Sequence, residues 1–287
     1  MVVFEKRWIR LKSNIEAKLF QKALLLNDTN NKQPITMEFS FVNFQTQFNF
    51  YKENYDKILL GTREISANDN QILYLFRVSK EFQNLDIKIR LAFGISEIKL
   101  NPTFVSDKEE DLKRCHLLYY KLADLWFAYE AYIKFYTVVN IRKKDKFKVN
   151  WIDEISFIEY ANSPIILGAL NQANDGFYKA FDTQEKKQEL ISYLEYCERQ
   201  AVSEAQIKRI KKIISKVDEV TNPLVNSEFL TIIYAIRNNF VHNGETTIVP
   251  DNFGFRNKRI LLDILYPYLC LVLLNSINIT CDNMKNT

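Results

Sequence analysis

The sequence predicts a mainly α protein: an antiparallel helical bundle over residues 106–287, with a smaller α+β or all-α extension over residues 1–105. Three observations carry this. After Asn101-Pro102, apolar residues recur at helical spacing through most of the chain, the mark of helices that bury one face. Capping hydroxyls, acidic first turns and Gly or Pro stops separate those stretches. Before that point a short segment alternates with a period of two, the pattern of a half-buried strand. At 287 residues, 47% hydrophobic and 26% charged, the chain has a globular composition and is long enough for a sizeable core.

Taken in order, residues 7–26 and 44–60 read as helices. Residues 36–42 alternate weakly and 85–93 clearly, with Leu85, Ile87, Ile89, Leu91 and Phe93 on one face and Asp86, Lys88 and Arg90 on the other. That predicts strands, although residues 72–82 also fit a helical stripe. Past the break, Ser106-Asp107 with Glu109, Glu110 and Asp111 supplies an N-cap and first-turn acids for a long helix reaching about Val139, since carboxylates are stabilising at the positive end of the helix dipole. The basic run at 142–148 suits a C-terminal turn and loop. Residues 151–180 hold shorter helical pieces broken at Pro164 and Gly176. Residues 183–220 read as one or two charged amphipathic helices. A helix over 226–241 ends at Asn243-Gly244, with Gly244 suited to the left-handed conformation, and a last helix covers 257–279.

Composition narrows the chemistry. The net charge is only +4, so a nucleic-acid partner must rest on a local site. Cys115, Cys197, Cys270 and Cys281 are far apart and form no CxxC pair. With two histidines in all, a zinc site of the usual kind is not expected. Free thiols in a reducing cytoplasm are the simplest account. There are six glycines and no GxxxxGK or GxGxxG loop, which argues against a nucleotide cradle. No cofactor is expected. The N-terminus has charges scattered through it and lacks the apolar core of a signal peptide. Residues 260–279 are strongly apolar but include Asp263, Pro267 and Asn275, costly in lipid, so a buried core helix is expected rather than a membrane span. His116 reads as a core-edge residue of the long helix, and the stripe Tyr119, Trp126, Tyr129, Ile133 and Tyr136 as core.

The segment SEFLTIIYAIRNNFVHNGE carries the chemistry. Phe229, Ile233, Ile236 and Phe240 recur as a core stripe, while Thr231, Ala235, Asn238 and His242 fall on another face. There, small side chains let a second helix or an RNA backbone come close. The Asn243-Gly244 stop places His242 in the last helical turn. Histidine can move a proton near neutral pH, and an arginine fork beside it can hold a phosphate and offset its charge. Arg237 and His242 therefore suffice for attack of an RNA 2′-hydroxyl on its own phosphate without a metal, with Asn238 orienting. The competing reading is a surface arginine and a helix-capping histidine in a non-catalytic module for dimerisation or partner binding.

Arg237-Asn238-Asn239-Phe240-Val241-His242 resembles the Arg-polar-x-x-x-His motif of the HEPN superfamily of helical domains. Leu125 to Tyr132 is similar to the Trp-x-Ala-x-Glu-Ala pattern of some HEPN helices. The likeness spans residues 106–280; residues 1–105 match nothing comparable. It implies a metal-independent endoribonuclease leaving a 2′,3′-cyclic phosphate, with Arg237, Asn238 and His242 catalytic. It carries to Glu130 a supporting role near the arginine, where the residues alone equally suggest an ion pair with Lys134. The resemblance further implies a homodimer with a composite active site, RNA as substrate, a toxin or antiviral role, and an antitoxin or activating partner. One subgroup carries a modifiable tyrosine two residues after the histidine; here that position is Gly244.

Overall fold

The computed structural model describes residues 41–61, 69–99, 110–140, 160, 162–219, 222–246 and 253–285. They form eight α-helices, and no β-strand lies among the described residues. We number them α1 (Phe41–Gly61), α2 (Asp69–Gly94), α3 (Glu110–Val139), α4 (Pro164–Ala180), α5 (Gln184–Gln200), α6 (Glu204–Glu219), α7 (Asn226–His242) and α8 (Phe255–Lys285). The mainly α class holds. The expected helix at 7–26, most of the alternating stretch at 36–42 and the basic run at 142–148 lie outside the described residues.

The strand expected at 85–93 is overturned: this stretch is the last part of α2. Burial there follows the helical period and not the alternation. Leu85, Ile89 and Ala92 are fully covered, whereas Ile87 and Leu91 are more than half exposed. Alternation in sequence arises because α2 carries a second apolar stripe, Leu73, Phe76, Ile87 and Leu91, on its outer side. A further correction concerns Gly176, which does not break the helix, since α4 runs through it from Pro164 to Ala180. A mid-helix glycine costs about 1 kcal/mol relative to alanine. Burial of Ala173, Phe177 and Ala180 on the same element outweighs that. Pro164 starts the helix, where its missing N–H is not needed.

The region 183–220 forms two helices. Thr183 Oγ1 accepts from Lys186 N at 3.3 Å at the start of α5, and Ser203 Oγ accepts from Gln206 N at 3.2 Å at the start of α6. Helix α3 is the hub. It packs against α2 on one side and α8 on another, and α8 also lies against α1 and α4. One continuous cluster of buried side chains runs from Phe44 and Tyr51 of α1 through Phe82 of α2, Trp126 and Phe135 of α3 and Phe229 of α7 to Leu269 of α8. Polar ties support it: Asn278 donates to the Gln47 side-chain and backbone oxygens, and Tyr51 donates to Asp86 at 2.6 Å.

Helix α8 has a mean hydropathy of 1.9 over its most apolar window, and 83% of that window is buried inside the molecule. By length and composition it could cross a membrane; here it is a core helix. Pro267 sits inside it.

Candidate active site

Helix α7 is held at both ends. At its start the Glu228 carboxylate accepts from Val225 N at 2.9 Å and pairs with Lys216 at 2.8 Å and Lys212 at 3.3 Å. Along its length, Phe229, Ile233 and Ile236 are buried as the stripe predicts. Thr231 and Ala235, expected on a face open to a helix or to RNA, are buried too, at 0% and 2% exposure. Protein fills that face, and α7 packs against α3, α5, α6 and α8. Only the end of the face, at Asn238 and His242, emerges.

The end of α7 is shaped by the turn after it. Asn243 N donates to Asn239 O at 3.1 Å, and Glu245 N donates to the same oxygen at 3.0 Å. The chain reverses through Gly244 at φ +68°, the left-handed conformation that the sequence reserves for it and that a Cβ would disfavour. Glu245 then plunges into the core. Its Oε1 accepts from Tyr119 of α3 at 2.7 Å and Tyr193 of α5 at 3.0 Å, and pairs with Lys258 of α8 at 3.3 Å. Both members of the ion pair are essentially inaccessible, at 2% and 1% exposure. Burial, with the Glu245 charge, pushes the Tyr119 and Tyr193 hydroxyls well above the usual phenol range. Nothing in the sequence marks Glu245, because its burial depends on side chains from three other helices, α3, α5 and α8.

At the site itself, Arg237 is 9% exposed while His242 is exposed. Arg237 Nη1 donates to Asn238 Oδ1 at 2.8 Å and lies 3.1 Å from His242 Nε2. A guanidinium can only donate. As a hydrogen bond the contact requires Nε2 to accept, which in the neutral imidazole leaves the proton on Nδ1. Arg237 Nε is buried without a hydrogen-bond partner, and the guanidinium stacks 4.6 Å from the centre of the Phe127 ring of α3. Cation–π contact of this kind holds the fork flat and oriented. Phe127 lies within the Leu125 to Tyr132 stretch, where no local signal sets it apart from its neighbours.

Glu130 accepts from the Trp126 indole N–H at 2.9 Å. Among the described residues it forms no ion pair with Lys134 or with Arg237. Trp126 in turn packs on Tyr234 of α7 at 5.5 Å, so Glu130 bears on the helix that carries the arginine through an indole. His116 is half-buried against Tyr120, and burial holds its imidazole below the ordinary histidine range. Of the expected core stripe of α3, Tyr119, Trp126, Tyr129 and Tyr136 are buried, and Ile133 is partly buried against them. All four cysteines are free and buried, and burial pushes the Cys115 and Cys270 thiols up to about 12. Lys208 to Lys212 lie on α6, where Lys211 pairs with Glu198 and Lys212 with Glu228. No group of three His, Cys, Asp or Glu side chains placed to hold a metal occurs among the described residues.

Comparison with protein-family models, with curated proteins and with solved structures finds no match for this chain.

Proposed function

We propose that the chain is a HEPN-like, metal-independent endoribonuclease of the toxin or antiviral type. The observation that carries this reading is the contact of Arg237 Nη1 with both Asn238 and His242 at the emergent end of α7. A cation, an amide and a proton carrier are brought to one point. Arg237 offsets charge on the non-bridging phosphate oxygens. Attack of the 2′-oxygen on phosphorus releases the 2′-hydroxyl proton, the bond from phosphorus to the 5′-oxygen breaks, and the 5′-oxygen takes up a proton. One imidazole is a base when neutral and an acid when protonated, so a single His242 beside Arg237 cannot take the 2′-hydroxyl proton and protonate the 5′-oxygen in the same step. A second copy facing the first across a two-fold axis supplies the partner for the other proton transfer, which supports a homodimer with a composite site. Four buried free thiols suit a reducing, cytoplasmic setting.

The test is incubation of the purified protein with single-stranded RNA in excess EDTA, beside Arg237→Ala and His242→Ala. General acid–base groups contribute about 10²–10⁴-fold, so each variant is expected to lose at least about 100-fold in cleavage, and wild-type fragments to end in cyclic phosphates. Intact RNA at micromolar wild-type protein overturns the reading and leaves a non-catalytic helical module that uses the same end of α7 for partner binding.

A further inference from the structure

Arg237 is not alone at the Phe127 ring. Lys88 of α2 places its Nζ 5.5 Å from the centre of the same ring, against 4.6 Å for the Arg237 guanidinium. Two cations measured to one ring centre lie within about 10 Å of each other. Neither forms an ion pair among the described residues. An acid that feels the Lys88 charge is Asp124, one turn before Phe127 on α3, which is half-buried and whose carboxyl burial pushes above the usual range while Lys88 pulls it down. An incompletely neutralised pair of cations, fixed by one aromatic side chain beside the exposed His242, is an arrangement suited to a polyanion. Like charges held this close cost energy unless an anion joins them.

We propose that Lys88 is a second phosphate-binding residue of the site, contacting the phosphodiester next to the one held by Arg237 on a single RNA strand. Phe127 is the spacer that fixes the separation of the two cations, and Asp124 holds Lys88 in place until RNA displaces it. The inference rests on the endoribonuclease reading, and it gives part of residues 1–105 a role in binding substrate. The two cations stand on α2 and α7, with Phe127 of α3 between their helices in the ring contact both share.

The two ideas are separable with a 2′-O-methyl RNA strand, which binds but has no 2′-hydroxyl to attack. Its affinity for the full chain is measured by fluorescence anisotropy from about 50 to 200 mM salt for wild type, Lys88→Gln, Lys88→Arg and Asp124→Asn. One lost phosphate contact lowers the slope of log affinity against log salt by about 0.7 for a single strand. Lys88→Gln is expected to show that loss, Lys88→Arg to restore the slope, and Asp124→Asn to bind more tightly at low salt. With cleavable RNA, Lys88→Gln is expected to raise KM and leave kcat near wild type, because its contact is to a neighbouring phosphate. If wild type cleaves RNA but Lys88→Gln keeps both slope and KM, the role of Lys88 is overturned and the nuclease stands. If the slope depends on Lys88 but no RNA is cleaved, phosphate binding stands and the nuclease falls. If the folded wild type does not bind the strand, the proposal is overturned.

Discussion

Among single residues, the buried pair Glu245 and Lys258 has the most at stake electrostatically. Both charges are out of water, so each depends on the other and on Tyr119 and Tyr193. Removing one partner of such a pair typically costs about 3–5 kcal/mol, because the remaining charge is left uncompensated. Glu245→Ala is therefore expected to lower the unfolding free energy read from urea titration by an amount of that order. Replacing Glu245 and Lys258 together by Leu and Met recovers much of the loss, since two apolar groups leave no orphan charge. Equal destabilisation in the single and double variants would contradict the pairing. Because Glu245 N also bonds to Asn239 O, Glu245→Ala loosens the turn that seats His242. Its effect on any RNA cleavage is expected to exceed what the unfolded fraction explains.

At the scale of the element, α2 shows what the sequence concealed. Leu85, Ile87, Ile89 and Leu91 are chemically alike and alternate perfectly, and nothing local says that two are covered and two are not. Only α3, packed along α2, decides it. Truncating Leu85 or Ile89 to Ala is expected to cost about 2–5 kcal/mol. The changes Ile87→Ser and Leu91→Ser, on the exposed stripe, should stay within about 0.5 kcal/mol. A strand would have penalised all four alike, so chemical denaturation of the set checks the assignment. Where the signals are local, the sequence was readable. The Asn243-Gly244 stop and the core stripe of α7 from Phe229 to Ile236 lie where the local pattern predicts them, with Phe240 partly buried at its end. Phe127, Lys88 and Glu245 are not marked locally because their meaning comes from side chains on other helices, Lys88 and Arg237 for Phe127 and Tyr119, Tyr193 and Lys258 for Glu245. Arg237, Asn238 and His242, by contrast, were legible as a group because one helical turn and its stop bring them together.

Across the whole molecule, the core is rich in groups that must stay protonated. Burial raises the thiols of Cys115, Cys197 and Cys270 and the phenols of Tyr119, Tyr129, Tyr132 and Tyr193. Unfolded thiols release protons near about pH 8.5 and phenols near about pH 10. Above that point the folded chain holds more protons than the unfolded one, so stability is complete below about pH 8.5 and declines as pH rises. Lys121, held below its usual range by burial, acts in the opposite sense but is one group against many. Urea midpoints at about pH 7.5, 9.0 and 10.5 are expected to decrease in that order. A thiol reagent at the lowest of these should react with the cysteines only when urea unfolds the chain. Early reaction of the native protein would show that the thiols are not covered as described.

The apolar helix α8 bears also on how the protein is made. Synthesis delivers α1, α3, α4 and α7 before it, and these are the helices that cover it. When α8 leaves the ribosome the helices that cover it are already made, so its long apolar surface has protein to meet first. Gene order along this chain thus acts as a safeguard in biogenesis, one that a circular permutant with α8 at the front would forfeit.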